Sequence, residues 1–171
     1  MKWDAHQQLF DIAKRAQRLA RKKRSACARK PLQGRALAML TAHSSPRLVS
    51  PTQQQGGQAE NTAADWLQAR GLSILMRNLA CRAGEIDLIA CDEDVLVFVE
   101  VRQRHNARYG GAAASITRAK QQRITRAASY FLPALSQAYF QGQTPVCRFD
   151  VVVLDAEQLT WHPHAFDQTL V

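Results

Sequence analysis

Apolar positions along this 171-residue chain follow two kinds of repeat, and the change between them outlines the elements. Leu9, Ile12, Ala13, Ala16, Leu19 and Ala20 recur every three or four residues, which predicts an amphipathic helix over 4–24. Residues 41–58 mix Ser, Pro, Gln and Gly without periodicity and read as a flexible linker. Ala59, Ala63, Trp66 and Leu67 then share one helical face, and Gly71 marks the stop. Residues 72–80 have β character. GEIDLIAC and DVLVFVEVRQR follow as two apolar strands separated by the acidic turn Asp92-Glu93-Asp94. After a small-residue loop, 109–115, helical spacing returns from Ile116, with Pro133 predicting a kink or break. RFDVVVLD, 148–155, is a further buried strand, and QLTWHPHAF closes the pattern. The order α-β-β-β-α-β predicts a mixed α/β domain over 58–171, preceded by a basic helix and linker over 1–57.

Charge sharpens that division. Residues 1–50 carry 12 Lys+Arg against 2 Asp+Glu, whereas the remainder carries 11 against 12. The net charge of +9 therefore sits in the first third. Lys14, Arg15, Arg18, Arg21 and Lys22 cover the polar side of the first predicted helix. Such a block suits counterion release from a polyanion, so nucleic acid is the expected partner. A basic tail that aids solubility or meets acidic surfaces is the plainer alternative. A membrane-surface role fits less well, because the apolar face of that helix is thin and rich in alanine. No apolar run approaches the roughly 20 residues that span a bilayer. The opening residues MKWDAHQQLF lack an apolar signal core, so the expected location is the cytoplasm. Cys27, Cys81, Cys91 and Cys147 are scattered without a CxxC pair and read as reduced thiols.

The chemistry concentrates in the two central strands. A hairpin centred on Glu93-Asp94 pairs residues whose numbers sum to 187, which sets Asp87 opposite Glu100 and Glu85 opposite Arg102. Like charges facing each other inside apolar strands repel, and something must offset the cost. A shared proton would do so, as would a divalent cation with oxygen ligands. Cβ atoms in such a pair stand roughly 4.5–5.5 Å apart, close enough for both carboxylates to hold one ion. Alternatively, one acid sits at a strand end in water, or pairs with Arg102 or Arg104.

Around the later helix, Arg118, Gln122, Arg123 and Arg126 share a polar arc, opposite Ile116, Ile124, Ala127, Phe131 and Leu135. Lys120 and Gln121 fall within the apolar arc near the helix start, so Lys120 either points at the sheet or snorkels past the core. The arginine arc reads as a face that tracks phosphates or as a solvated one. Asp150 inside its apolar strand is expected to brace Arg148 or the acidic pair. His162 and His164 read as surface residues, and Trp66 and Trp161 as core.

GEIDLIA, the acidic turn and FVEVR together resemble the signature of the YraN-like family. The resemblance continues through YGGAAASITRAKQ and CRFDVVV to WHPHAF, covering about residues 58–167. That family is placed in the restriction-endonuclease-like PD-(D/E)XK superfamily. The resemblance implies an α/β restriction-endonuclease-like core, a mixed central sheet of about four to five strands flanked by helices, with the basic helical N-terminal extension added here. It implies an Mg²⁺- or Mn²⁺-dependent endonuclease that cleaves phosphodiester bonds, in DNA rather than RNA, at branched or flapped structures. Homodimers suit such substrates. Asp87 and Glu100 match the two metal-holding acids, the Val101 carbonyl is the implied third ligand, and Glu60 matches an acid that joins the site in junction-resolving relatives. Arg102 occupies the position of a lysine. Arginine stays protonated, so it can clamp a phosphate but cannot act as a base. Lys120 is then the candidate substitute, and Arg104, Arg118, Arg123 and Arg126 join the nucleic-acid face. The alternative is a nucleic-acid-binding protein without catalysis.

Overall fold

The structure, a computed structural model, describes residues 35–42, 51–104, 116–155, 158–167 and 170. Its elements are α1 (Arg35–Ala42), α2 (Pro51–Ala69), β1 (Ser73–Cys81), β2 (Gly84–Asp92), β3 (Val95–Arg104), α3 (Arg118–Tyr139), β4 (Val146–Asp155) and β5 (Gln158–His162). The five strands form one mixed sheet in the order β1-β2-β3-β4-β5. Neighbours are antiparallel except β3 and β4, which run parallel and are joined through α3. A parallel pair needs such a crossover, and the helix covers one sheet face as it returns.

The central strands are buried on both faces, which is why they read as continuous apolar runs. On one face α2 lays Ala63, Ala64 and Leu67 against Leu88, Ala90, Val97, Val99 and Val152. On the other, Ile124, Ala127, Ala128, Phe131 and Leu135 of α3 pack with Ile86, Ile89, Leu96, Phe98 and Phe149. Burial of a side chain such as Phe131 or Leu67 contributes about 2 kcal/mol each. Phe149 extends the second core by stacking on Phe98 and Phe166, with centroids 5.4 and 4.8 Å apart.

Several elements differ from the expectation. The predicted linker is helical from Pro51 onward. Proline suits the first turn of a helix, where its missing N–H costs nothing. α1, which the sequence pattern did not predict, also joins the fold, with Leu40 fully buried in the core beneath α3. Pro133 neither breaks nor ends α3, which continues to Tyr139. β5 adds a short antiparallel edge strand within the closing segment. Cys81 and Cys147 are free thiols, whereas Cys91, expected to be reduced, is disulfide-bonded; Cys27 lies outside the described residues. Burial pushes the Cys147 thiol up to about 11, so it is not a ready nucleophile. The predicted helix over 4–24, with Lys14, Arg15, Arg18, Arg21 and Lys22, lies outside the described residues.

Candidate functional site

β2 and β3 pair in the register that the two-residue turn dictates, from Asp92 opposite Val95 to Leu88 opposite Val99. There the ladder stops. One residue further, Asp87 Oδ2 accepts the backbone N–H of Val101 at 2.7 Å, so a side-chain carboxylate stands in for the next ladder carbonyl. Asp87 and Glu100 thus come together at an opening between the strands rather than as a paired step. Glu85, expected opposite Arg102, instead pairs along β1 with Ala80.

β1 is irregular as well. Met76 and Leu79 pack into the same core although they are three residues apart, and so do their opposites Ile89 and Ile86. Strict alternation would send each pair to opposite faces. The β1–β2 register shifts between Ile74 and Met76, and further along the steps Arg77↔Leu88 and Leu79↔Ile86, which keep one register, flank Asn78 and Asp87. Asn78 has φ of 53°, a left-handed conformation that asparagine tolerates better than most residues. Asp87 lies one residue beyond the last β2–β3 pair, Leu88 opposite Val99.

Glu100 follows Leu96 and Phe98 on the α3 side of β3 and is only 4% exposed. Lys120 Nζ lies 3.0 Å from its Oε1, and Arg102 Nη1 lies 3.7 Å from the same oxygen. Oε2 is buried and accepts no hydrogen bond. Lys120 is held there by the first turn of α3. Thr117 caps the helix by accepting the Lys120 N–H at 3.3 Å, and Gln121 Nε2 donates to the Ile116 carbonyl at 3.1 Å. Of the two placements open to Lys120, the structure has the one that points at the sheet.

The electrostatics match this crowding. Burial, then the nearby Glu100 carboxylate, push Asp87 well above the ordinary aspartate value, against the Val101 N–H and the Lys120 charge. Glu60 reaches the same region from α2. Its carboxyl is raised by burial foremost and by Glu85 and Glu100, against a hydrogen bond with Asn78 and the Arg77 charge. Because α2 begins at Pro51, Glu60 sits well inside the helix, and the macrodipole of a first turn does not account for it.

The site therefore draws Glu60 from α2, Asp87 from β2, Glu100 and Arg102 from β3, and Lys120 from α3. Among the described residues, no group of three His, Cys, Asp or Glu side chains is placed to hold a metal ion. A cation here would have two carboxylates and backbone oxygen. The Val101 N–H faces β2, and in a strand the carbonyl of the same residue faces the same edge, so that oxygen is directed to the opening. A buried carboxylate oxygen without a donor fits a hard cation.

Arg118, Arg123 and Arg126 are exposed along α3, as their arc predicts. Arg104 ends β3, but its side chain is outside the described residues. Asp150 belongs to a separate cluster. Arg148 donates to it through Nε at 2.9 and 3.1 Å and through Nη2 at 2.9 Å, and reaches Asp92 through Nη1 at 3.0 Å. Trp161 Nε1 and the His164 backbone N–H complete it at 3.0 and 3.1 Å. Asp150 thus braces Arg148, one of the two roles expected of it. His164 is exposed, His162 is half-buried, and Trp66 and Trp161 pack partly buried against the core. Sequence reasoning missed Asn78 and Thr117. Asn78 interrupts the apolar alternation of β1 and was the available signal.

Residues 59–154 match the uncharacterised protein family UPF0102. A UPF0102 protein of Bordetella petrii is 46% identical over 157 residues, 92% of this chain and 93% of the relative. One from Cupriavidus necator is 50% identical over 118 residues, covering 68% and 86% of the two chains. One from Psychromonas ingrahamii is 41% identical over 125 residues, covering 72% and 98%. With the match spanning α2 through β4, the chain belongs to the UPF0102 family.

Proposed function

We propose that this protein is a divalent-cation-dependent endonuclease of the PD-(D/E)XK kind, with a restriction-endonuclease-like core, acting in the cytoplasm on DNA that is branched or flapped. The observation that carries the reading is the Asp87–Glu100 pair at the β2–β3 opening, Asp87 half-buried and Glu100 buried with its Oε2 left without a donor. Asp87, Glu100 and the Val101 carbonyl would hold Mg²⁺ or Mn²⁺. When bound, such an ion polarises a phosphate and lowers the pKa of a water.

The chain's own cations would act on the substrate side. Arg102 keeps its proton and so serves to clamp a phosphate oxygen or to offset charge building on it. Lys120 adds a second positive charge beside Glu100. Arg118, Arg123 and Arg126, together with the basic residues 1–50, would meet the phosphate backbone through counterion release. Paired in a two-fold homodimer, two such sites would address both strands of a branched substrate.

Binding without cleavage is the second reading. It is favoured by the ion pairs of Lys120 and Arg102 with Glu100, which supply part of the compensating charge from the protein itself. Incubation of the full chain with branched, single-stranded and duplex DNA separates the two. The endonuclease reading expects cleavage that needs Mg²⁺ or Mn²⁺ and falls at least about 100-fold in Asp87→Ala, the scale on which loss of a single transition-state contact acts. Cleavage that survives Asp87→Ala would contradict it. Salt-sensitive binding indifferent to chelation, with no cleavage of any of these DNAs, would establish the second reading.

A further inference from the structure

The two oxygens of Glu100 are treated unequally. Both nearby cations, Lys120 Nζ at 3.0 Å and Arg102 Nη1 at 3.7 Å, approach Oε1. Neither hydrogen-bonds Oε2, which is buried and unpartnered. The terminal torsion of a glutamate is soft and roughly two-fold, so packing alone does not decide which oxygen faces where. A fixed donor can. Lys120 is such a donor, because its backbone is tied into the Thr117 cap and its side chain is two-thirds buried.

We infer that Lys120 is a positioning residue for the cation site, holding Oε1 of Glu100 so that Oε2 is the oxygen presented to a divalent ion. The inference rests on the metal-site reading above. It also makes a prediction opposite in sign to simple electrostatics. An ammonium close to a cation site repels the ion, so removing Lys120 for its charge alone would tighten binding. Removing a group that orients a ligand weakens binding, on the order of 10- to 100-fold for partners of metal ligands in other proteins. Arginine at 120 would keep a donor for Oε1 and is expected to retain most of the affinity.

The test is Mn²⁺ titration of the full chain, with free ion followed by electron paramagnetic resonance. Wild type, Lys120→Met, Lys120→Gln, Lys120→Arg and Asp87→Asn are compared, and thermal unfolding checks that each is folded. The expected result is loss of binding in Asp87→Asn, weakening of about tenfold or more in Lys120→Met and Lys120→Gln, and substantial recovery in Lys120→Arg. If the Met and Gln variants bind as tightly as wild type or more tightly, while Asp87→Asn does not bind, the positioning role is overturned and the cation site stands. If wild type and Asp87→Asn bind alike, or neither binds, the cation site fails and the inference fails with it.

Discussion

Two buried acids in the same sheet have opposite surroundings. Asp150 on β4 is 1% exposed, and both of its oxygens are taken up by Arg148, Trp161 and the His164 backbone. Glu100 on β3 is equally deep, yet one oxygen has no donor and a second carboxylate, Asp87, lies beside it. The two residues stand one step apart across the parallel β3–β4 ladder, where Glu100 faces Val151 and Asp150 faces Val99. The first arrangement closes on itself: both Asp150 oxygens have donors, Arg148 lies over the Trp161 ring, and the His164 backbone is tied to the sheet. The second is incomplete. A folded protein keeps such a deficit when something other than folding needs it, and a site for a cation is the simplest such need.

Breaking the complete cluster has the largest expected effect on stability. Arg148→Met leaves Asp150 buried with its charge uncompensated, so unfolding free energy should fall by about 3–5 kcal/mol. Chemical denaturation measures this directly. A loss below about 1 kcal/mol, the scale of an exposed ion pair, would mean that the cluster does not carry the role given to it.

The incomplete pair should respond in the other direction. Asp87→Asn keeps an oxygen that can accept the Val101 N–H and removes the repulsion with Glu100. At neutral pH it should stabilise the protein by on the order of 1 kcal/mol, or about 3 °C. The pH dependence follows from the raised value of Asp87. The folded state holds that proton more tightly than the unfolded chain, so wild-type stability declines as pH rises from the ordinary aspartate range through the folded value. The advantage of the variant should therefore grow with pH over that window and vanish below it. Melting temperatures between pH 3 and 8 would show this, and a variant destabilised to the same extent throughout would contradict it.

Much of this contrast was legible in the sequence, and the parts that were not share a cause. The register of β2 and β3 followed from apolar runs flanking a two-residue acidic turn, because side-chain period and turn length together leave little choice. The buried face of α3 followed from helical periodicity, which left Lys120 either pointing at the sheet or snorkelling past the core. What periodicity could not show were backbone departures from it. Asn78 is left-handed, the β1–β2 register shifts between Ile74 and Met76, and the β2–β3 ladder ends at Leu88 rather than continuing to Asp87. Pro51 lay in a stretch whose composition suggested a linker, and Leu40, just before that stretch, was assigned to no element although it is buried in the core. The meeting of Lys120 with Glu100 depends on how α3 crosses the sheet, a tertiary relation that neither segment carries alone.

Crystals of the protein soaked in Mn²⁺ test most directly whether the Asp87–Glu100 opening holds a cation, as proposed. The account predicts an anomalous difference peak within about 2.5 Å of both an Asp87 oxygen and Glu100 Oε2, with Lys120 still on Oε1. No peak there, with Lys120 or Arg102 reaching across to satisfy Oε2, would contradict it.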